Sequence, residues 1–382
     1  MSVHQSMTHP RAAYVHVPFC AHRCGYCNFT LVAGRDDLID RYIEAIAREL
    51  QRLETPREVD TLFFGGGTPT HLLPEKLRRL IRTVSHWFPL TEGHEFSLES
   101  NPADLDLERM ELLAEHGVTR ISLGAQSFQP EKLRSLDRDH DTEDIARSVD
   151  LARRHVDSVS LDLIFGVPGE SLDAWKADLE AAIRLEPHHV SSYGLTYERG
   201  TALWTRRKKG QTLRLDDELE REMFGQAIDT LVDAGFEHYE VSNFARPGHR
   251  CRHNEVYWAG ESYYAVGPGA ARYVAGQREV NHRSTTTYIK RVLDGQSPVA
   301  ESETLSLEDR ARETLVIGLR RMHGVGRTEF ARQTGFEVDS LVGPELRRFI
   351  DRGLLKETSD RVRLTREGLF VSDSIWPHFL RV

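Results

Sequence analysis

Ala12-Ala-Tyr-Val-His-Val17-Pro-Phe-Cys20-Ala-His-Arg-Cys24-Gly-Tyr-Cys27-Asn-Phe29 is an apolar run that opens into a loop carrying three cysteines. The run over Ala12–Val17 reads as a strand, and the pattern recurs five times, over residues 59–64, 95–98, 119–123, 158–163 and 189–193. These segments are rich in Val, Ile, Leu, Tyr and Phe, and several are nearly continuous apolar runs, as strands covered on both faces must be. Helical patterns lie between them. Leu38, Tyr42, Ile46, Leu50 and Leu53 share one face, Leu105, Met110, Leu112 and Leu113 mark a shorter helix, and two more cover 145–152 and 172–185. Six strands alternating with helices predict an α/β fold of right-handed βαβ units, either an open doubly wound sheet or a barrel-like parallel sheet. In both, chemistry sits at the C-terminal ends of the strands, and the chain's polar motifs fall there.

The pattern changes after residue 200. Leu219, Met223, Ala227 and Leu231 mark a helix that ends at Gly235, and a strand-like segment over 239–244 and a Gly-, Pro- and Arg-rich loop over 245–252 follow. Residues 254–274 carry many aromatics and glycines, and a polar linker is expected near residue 300. Beyond a capping box at 306–309 come three helices, two short strands (354–356 and 361–364) and a final helix, a winged-helix-like pattern. The expected organisation is a disordered tail over 1–11, a barrel over 12–235, an extension over 236–300 and a small domain over 301–382.

Lys and Arg number 50 against 59 Asp and Glu, a formal charge of −9, so neither nucleic acid nor an anionic membrane is an expected partner. No run approaches 18 apolar residues, and the first eleven lack the apolar core of a signal peptide, so the expected location is the cytoplasm. Of four cysteines, three fall within eight residues and cannot staple 382 residues; in a reducing compartment such clusters are metal ligands. Cys251 stands alone and reads as a half-buried thiol without a role.

Three thiolates at C-x3-C-x2-C spacing can ligate three irons of a [4Fe–4S] cubane and leave the fourth open. S-adenosylmethionine (SAM) can chelate such an iron through its amino and carboxylate groups, and an electron from the cluster can then cleave its S–C5′ bond. Zinc favours four closed ligands, usually from two C-x2-C pairs, and suits this loop poorly.

With these residues the chain resembles the radical SAM superfamily and, within it, the branch that contains oxygen-independent coproporphyrinogen III oxidase and the haem chaperone family HemW. The resemblance runs from Tyr14 to the C-terminal region and implies a partial (βα)6 barrel with a small C-terminal domain. It implies that Cys20, Cys24 and Cys27 hold the [4Fe–4S] cluster and that Gly66, Gly67 and Thr68, in Gly65-Gly-Gly-Thr-Pro-Thr70, meet the methionine end of SAM. Glu99, Gln126 and Asp162 resemble positions near SAM, and Arg138 resembles an arginine that pairs with its carboxylate. Tyr14 and Tyr26 match positions packed against the cofactor, and Gly194 matches a small residue near the adenine.

Two departures separate the chain from the oxidases. They carry a fourth cysteine where Phe29 stands here, and an N-terminal extension, whereas this chain reaches its cysteine loop by residue 20. The segments 235–245 and His253-Asn-Glu-Val-Tyr-Trp258 are similar to HemW, where the latter motif, HNxxYW, is associated with haem. The resemblance therefore implies a haem chaperone with haem as cargo, haem-receiving proteins as partners and a homodimer tied to the state of the cluster. His253 is the implied haem ligand, with His249 and Cys251 as nearby alternatives. Catalytic turnover is not required by this reading; the enzymatic alternative is radical decarboxylation of coproporphyrinogen III. The family's Gly-x-Gly-Ala-His run reads Gly267-Pro-Gly-Ala-Ala271 here, without the histidine. His16 reads as a hydrogen-bonding residue at the barrel mouth.

Overall fold

Burial on both faces makes β1 (Ala12–Val17) the first of a series of parallel strands in the computed structural model, which describes residues 9–381. Residues 1–8 of the tail expected over 1–11 lie outside the described residues. The chain is already held ahead of β1: Pro10 is buried, and Arg11 pairs with Asp60 at 2.8 Å and Glu58 at 3.1 Å. The next strands are β2 (Val59–Gly66), β3 (Leu90–Ser100), β4 (Arg120–Gln126), β5 (Ser158–Phe165) and β6 (His189–Gly194). All six predicted strands form, and they pair in parallel in chain order. An unbroken order 1 to 6 is the winding of a barrel, because a doubly wound sheet reverses direction part-way.

The sheet has nine strands, since the segment after residue 235 adds to both edges. β7 (Glu237–Glu240) and β8 (Asn243–Ala245) form a hairpin that pairs antiparallel with β6. β9 (Tyr264–Val266) pairs in parallel with β1. The order is β9-β1-β2-β3-β4-β5-β6-β8-β7, and the two edges do not pair. The region read from the sequence as an extension is thus part of the barrel wall. The linker expected near residue 300 is also a strand: β10 (Ala271–Val274), β11 (Gln277–Asn281) and β12 (Val299–Thr304) form a separate antiparallel sheet.

The helices cover the outer face. α1 (Ile39–Leu50) buries Tyr42, Ile43, Ala45, Ile46 and Leu50, and the Tyr42 hydroxyl donates to the His16 carbonyl at 2.7 Å, tying the helix to the strand end beside the cysteine loop. α2 (Pro74–Trp87), α3 (Leu107–Glu115), α4 (Pro130–Ser135), α5 (Thr142–Arg153) and α6 (Leu172–Arg184) follow the strands in turn. Asp141 caps α5 with a complete capping box, and Ser171 caps α6. α7 (Ala202–Lys208), α8 (Asp217–Asp233), α9 (Arg252–Trp258) and α10 (Thr285–Leu293) complete this part.

The C-terminal region opens with α11 (Leu307–Gly318), capped by Ser306, and continues through α12 (Arg327–Thr334) and α13 (Val338–Asp351). β13 (Val325–Gly326), β14 (Leu355–Glu357) and β15 (Arg361–Leu364) make a small sheet in the order β13-β15-β14. The predicted wing pair is present, with a two-residue third strand beside it. Backbone bonds from Val241 N to Arg320 O (3.1 Å) and Met322 N to Tyr239 O (3.0 Å) fasten this unit to β7 and the turn after it. No helix among the described residues is long and apolar enough to cross a membrane.

The loop after β4 is anchored by a buried charge network. Lys132 pairs with Glu170 and, at 3.0 Å, with Asp178, and all three side chains are almost wholly removed from water. Asp178 also accepts from the Ser127 hydroxyl (2.7 Å) and the Phe128 N–H (2.6 Å), so α6 holds the loop between Gln126 and α4. Replacing one member leaves the others buried and unpaired. Lys132→Met is expected to lower unfolding stability by about 3–5 kcal/mol, measured by urea denaturation; an unchanged midpoint would show that the network is not a structural clamp.

Candidate functional site

β1 and β2 approach closely at their C-terminal ends, which brings the glycine run against the cysteine loop. Gly67 N donates to Val17 O and Thr68 N to Phe19 O, both at 2.8 Å. A Cβ at Gly67 would lie 2.7 Å from both of those carbonyl oxygens, and one at Gly66 would lie 2.3 Å from the His16 ring. Gly66 also has φ +108°, a conformation that side chains other than hydrogen resist. Its N–H donates at 2.8 Å to the carboxylate of Glu99, near the end of β3.

These strand ends surround a cavity of about 660 Å³. Cys20, Cys24 and Cys27 line it together with Tyr26, Gly66, Gly67, Thr68, Glu99, Gln126, Arg138, Asp162 and Gly194. The structure therefore gathers twelve of the fourteen sequence-derived site residues in one place. Gln126 takes φ +64° at a break in the β4–β5 register, a strained geometry that sits beside the cavity.

The charge arrangement is unusual for a protein interior. Arg138 donates to Cys24 Sγ (3.3 Å), Asn101 Oδ1 (2.8 Å) and Gly124 O (2.9 Å). Its shielded Nε has no partner and the guanidinium faces no carboxylate in an ion pair among the described residues. Removal from water pushes Glu99 up to about 7, against the hydrogen bond from Gly66, and Asp162 is raised for the same reason although Ser122 donates to both its oxygens at 3.1 Å. Burial also raises the Cys27 thiol and pushes Cys20 up to about 12, while Thr68 Oγ1 lies 3.4 Å from Cys20 Sγ.

Several neighbours escaped the sequence reading. His22, between the first two cysteines, has Nε2 at 2.7 Å from Asp137 O and Nδ1 at 3.2 Å from Asp139. His140 bridges Asn101 Oδ1 (3.1 Å) and Ala125 O (2.9 Å) and so steadies the groups that hold Arg138. His22 was visible as a polar residue inside the metal loop. Arg283, which lines the cavity from just before α10, had no local signal at all.

Tyr14 and His253 lie elsewhere. Tyr14 lines a second cavity of about 600 Å³, which shares Phe29 and Arg283 with the first. His253 lines neither. Its Nδ1 is 2.9 Å from Thr61 Oγ1, its Nε2 is 2.7 Å from the Tyr257 hydroxyl, and its ring stacks on Phe63 with centroids 5.2 Å apart. The short helix α9 presses it onto β2 and leaves no ring nitrogen for a haem iron, so the ligand role expected for His253 does not fit its setting. Cys251 is buried, rather than half-buried as expected, with Sγ 3.6 Å from Glu95. His249 lies tilted against His188, with ring centroids 4.4 Å apart.

The radical SAM superfamily model matches residues 14–182, and the HemN C-terminal domain model matches residues 305–371. The protein named Heme chaperone HemW of Bacillus subtilis is 32% identical over 376 residues, covering 97% of this chain and 99% of that one. The chain belongs to the HemW family of radical SAM proteins. The Escherichia coli protein of the same name is also 32% identical, covering 97% of this chain and 98% of its own. The solved coproporphyrinogen III oxidase HemN of Escherichia coli covers 99% of this chain and 91% of its own at a TM-score of 0.86 and 22% identity, a likeness of fold.

The superfamily implies a [4Fe–4S] cluster and SAM, and the donors present suit both. No three of the His, Cys, Asp and Glu side chains among the described residues close to a distance that holds a single metal ion. The cysteines face a common cavity instead, as separate irons of one cluster require. An arginine without a carboxylate partner and two carboxyls kept from water share that cavity.

Three buried histidines make the fold acid-sensitive. Burial holds His16 and His140 down at about 4 and His253 at about 3. An unfolded histidine titrates near ~6.5, so below that pH the unfolded chain binds protons that the folded chain refuses. Stability is expected to be retained above pH ~6.5 and to fall toward pH ~4 by up to ~1.4 kcal/mol per pH unit for each histidine. Urea midpoints that stay level between pH 7 and 5 would contradict this.

Proposed function

We propose that this protein is a haem chaperone of the cytoplasm that holds a [4Fe–4S] cluster and SAM, takes up haem and passes it to other proteins. The observation that carries this reading is identity along nearly the whole chain with proteins named Heme chaperone HemW, set against a likeness of fold alone to the oxidase. Cys20, Cys24 and Cys27 are the proposed cluster ligands. Arg138 is suited to the SAM carboxylate and Glu99 and Asp162 to its ammonium group, because each is held away from water without a full counter-charge. Gly66, Gly67 and Thr68 offer backbone that a ligand can approach without Cβ interference. Tyr26 and Gly194, beside the apolar Ile164 and Leu195, suit the adenine, with Gln126 as a hydrogen-bonding neighbour.

When bound, the cluster and SAM would supply one-electron chemistry; the chain's residues would bind, orient and shield them. Phe29, 63% exposed and on the lining of both cavities, stands where the resembling oxidases carry a cysteine.

The test is anaerobic. Protein with a reconstituted cluster is expected to bind SAM and haem, to release haem to an apo-haemoprotein, and to yield no protoporphyrinogen IX from coproporphyrinogen III with SAM and a reductant. Cys24→Ala is expected to lose the cluster's visible absorbance. Formation of protoporphyrinogen IX by the wild type, abolished in Cys24→Ala, would make the protein an oxidase and overturn the chaperone reading.

A further inference from the structure

The short helix α7 is fastened to the cysteine loop by its inner face. The Leu203 N–H donates to Gly25 O at 2.8 Å, between the second and third cysteines. The Leu203 side chain is buried with Leu136, Ile164, Val167 and Leu195, and Tyr26 of the cysteine loop packs on the same cluster. Arg206 pairs with Asp137 at 3.0 Å, and a Cβ at Gly25 would run into that Asp137 carboxylate. Thr201 caps the helix, accepting from Trp204 N at 3.1 Å. No residue of α7 lines either cavity.

The outer face carries positive charge that the chain itself does not answer. Residues 199–215 hold six Lys and Arg and no Asp or Glu, in a protein whose 59 acids outnumber its 50 bases. Two of the six are committed, Arg206 to Asp137 and Arg214 to Glu220 (2.7 Å) and Asp217 (3.1 Å). Arg199, Arg207, Lys208 and Lys209 are exposed and make no ion pair among the described residues. Arg207 lies over the Tyr197 ring at 4.8 Å and Lys208 over the Trp204 ring at 5.3 Å, so aromatic faces rather than acids hold these cations at the surface. Arg23, exposed within the cysteine loop, donates to the Leu31 carbonyl at 3.1 Å and likewise has no acid partner among the described residues. Glu198, which accepts from Asn28 Nδ2 at 3.4 Å, is the acid that borders the run.

Bases in the last turn of a helix suit its negative end. That effect accounts for the end of α7, but Arg199, Lys209 and Arg23 lie outside the helix. Leu213, 79% exposed, gives the same run an apolar contact point.

We infer that this basic face is the docking surface for a small acidic electron-carrier protein, which reduces the cluster across α7. Unanswered cations attract a partner with the opposite excess and speed its encounter. A helix is about 10–12 Å across, so a carrier seated on α7 lies about that far from the loop beneath it. Because α7 lines neither cavity, the face suits a partner that exchanges an electron rather than one that exchanges a bound molecule. The carrier is oxidised by one electron, the cluster is reduced by one, and no bond in the chain forms or breaks. The inference goes beyond the haem-chaperone reading and rests on one part of it, the assignment of the cluster to Cys20, Cys24 and Cys27.

The probe is an acidic flavodoxin. Its oxidised form is titrated calorimetrically into the cluster-loaded protein, where docking is read without electron transfer. Its reduced form is then mixed anaerobically with the same protein while bleaching of the cluster's visible absorbance is followed, and dithionite, which needs no docking surface, gives the reference rate. The wild type is compared with R207Q/K208Q/K209Q and with R82Q/R332Q/R352Q, which removes the same charge from other exposed positions; the folding of both is checked by their urea midpoints. The first variant is expected to weaken flavodoxin binding and slow flavodoxin-driven bleaching at least about tenfold each at low salt, with dithionite bleaching within about twofold of the wild type. The second is expected to stay within about threefold of the wild type throughout. Salt raised to about 0.3 M is expected to bring the wild type close to the first variant, an arm that needs no substitution. Wild-type binding and bleaching indifferent to salt and to R207Q/K208Q/K209Q, an equal loss in both variants, or tighter binding of an RNA oligonucleotide than of flavodoxin would overturn this surface and leave the chaperone reading standing. A wild type that assembles no cluster on its three cysteines would bring down both.

Discussion

The close approach of β1 and β2 at their C-terminal ends governs the arrangement of everything around it. At Gly66 and Gly67 there is no room for a Cβ, because the His16 ring and the Val17 and Phe19 carbonyls occupy the space. That contact lets the second strand end against the cysteine loop and lets the Gly66 N–H reach Glu99 on the third strand. Three elements far apart in sequence thus share one wall of the cavity. A barrel with bulkier residues here would have to part its first two strands, and the cysteines would move away from the carboxylates they now adjoin.

Polar groups at these strand ends are held where water cannot solvate them fully, and this is costly. Glu99, Asp162 and Arg138 lie within one cavity without a direct ion pair among them, and Gln126 is kept in a strained backbone conformation. Such a concentration of unmet charge persists only when the surrounding structure over-determines it. The scaffold supplies that constraint on both sides: α1 ties to the end of β1 through Tyr42, and α6 clamps the loop after β4 through Asp178 and Lys132. The charges are therefore presented by a rigid frame, which suits a site that must bind a zwitterion without rearranging.

Much of the fold was legible because several of its six central strands are buried on both faces and so appear as short apolar runs between amphipathic helices. The cofactor cavity was legible for a related reason: a parallel barrel delivers the residue after each strand to one end, so short motifs scattered between Cys20 and Gly194 map to one place. The edges were not. β7, β8 and β9 are three or four residues long, and their pairing is decided by the strands they meet rather than by their own pattern. β12 is mostly polar and exposed, so Val299–Thr304 looks like a linker. His253 misled because its motif names a residue type and not a direction. On a seven-residue helix laid against the sheet, it faces Thr61 and Phe63 while Trp258 reaches the neighbouring cavity.

The two cavities share a boundary. Phe29 sits at that boundary on the loop that carries the cysteines, and Arg283 crosses to it from just before α10, bonded to Asn28 and Thr30 of the same loop. Any shift of the cysteine loop is therefore felt in both cavities through contacts already made. Phe29 is an exposed aromatic ring, which can stack on a flat surface but cannot ligate a metal. At the partition between the cavities the chain thus presents an aromatic surface and no metal ligand.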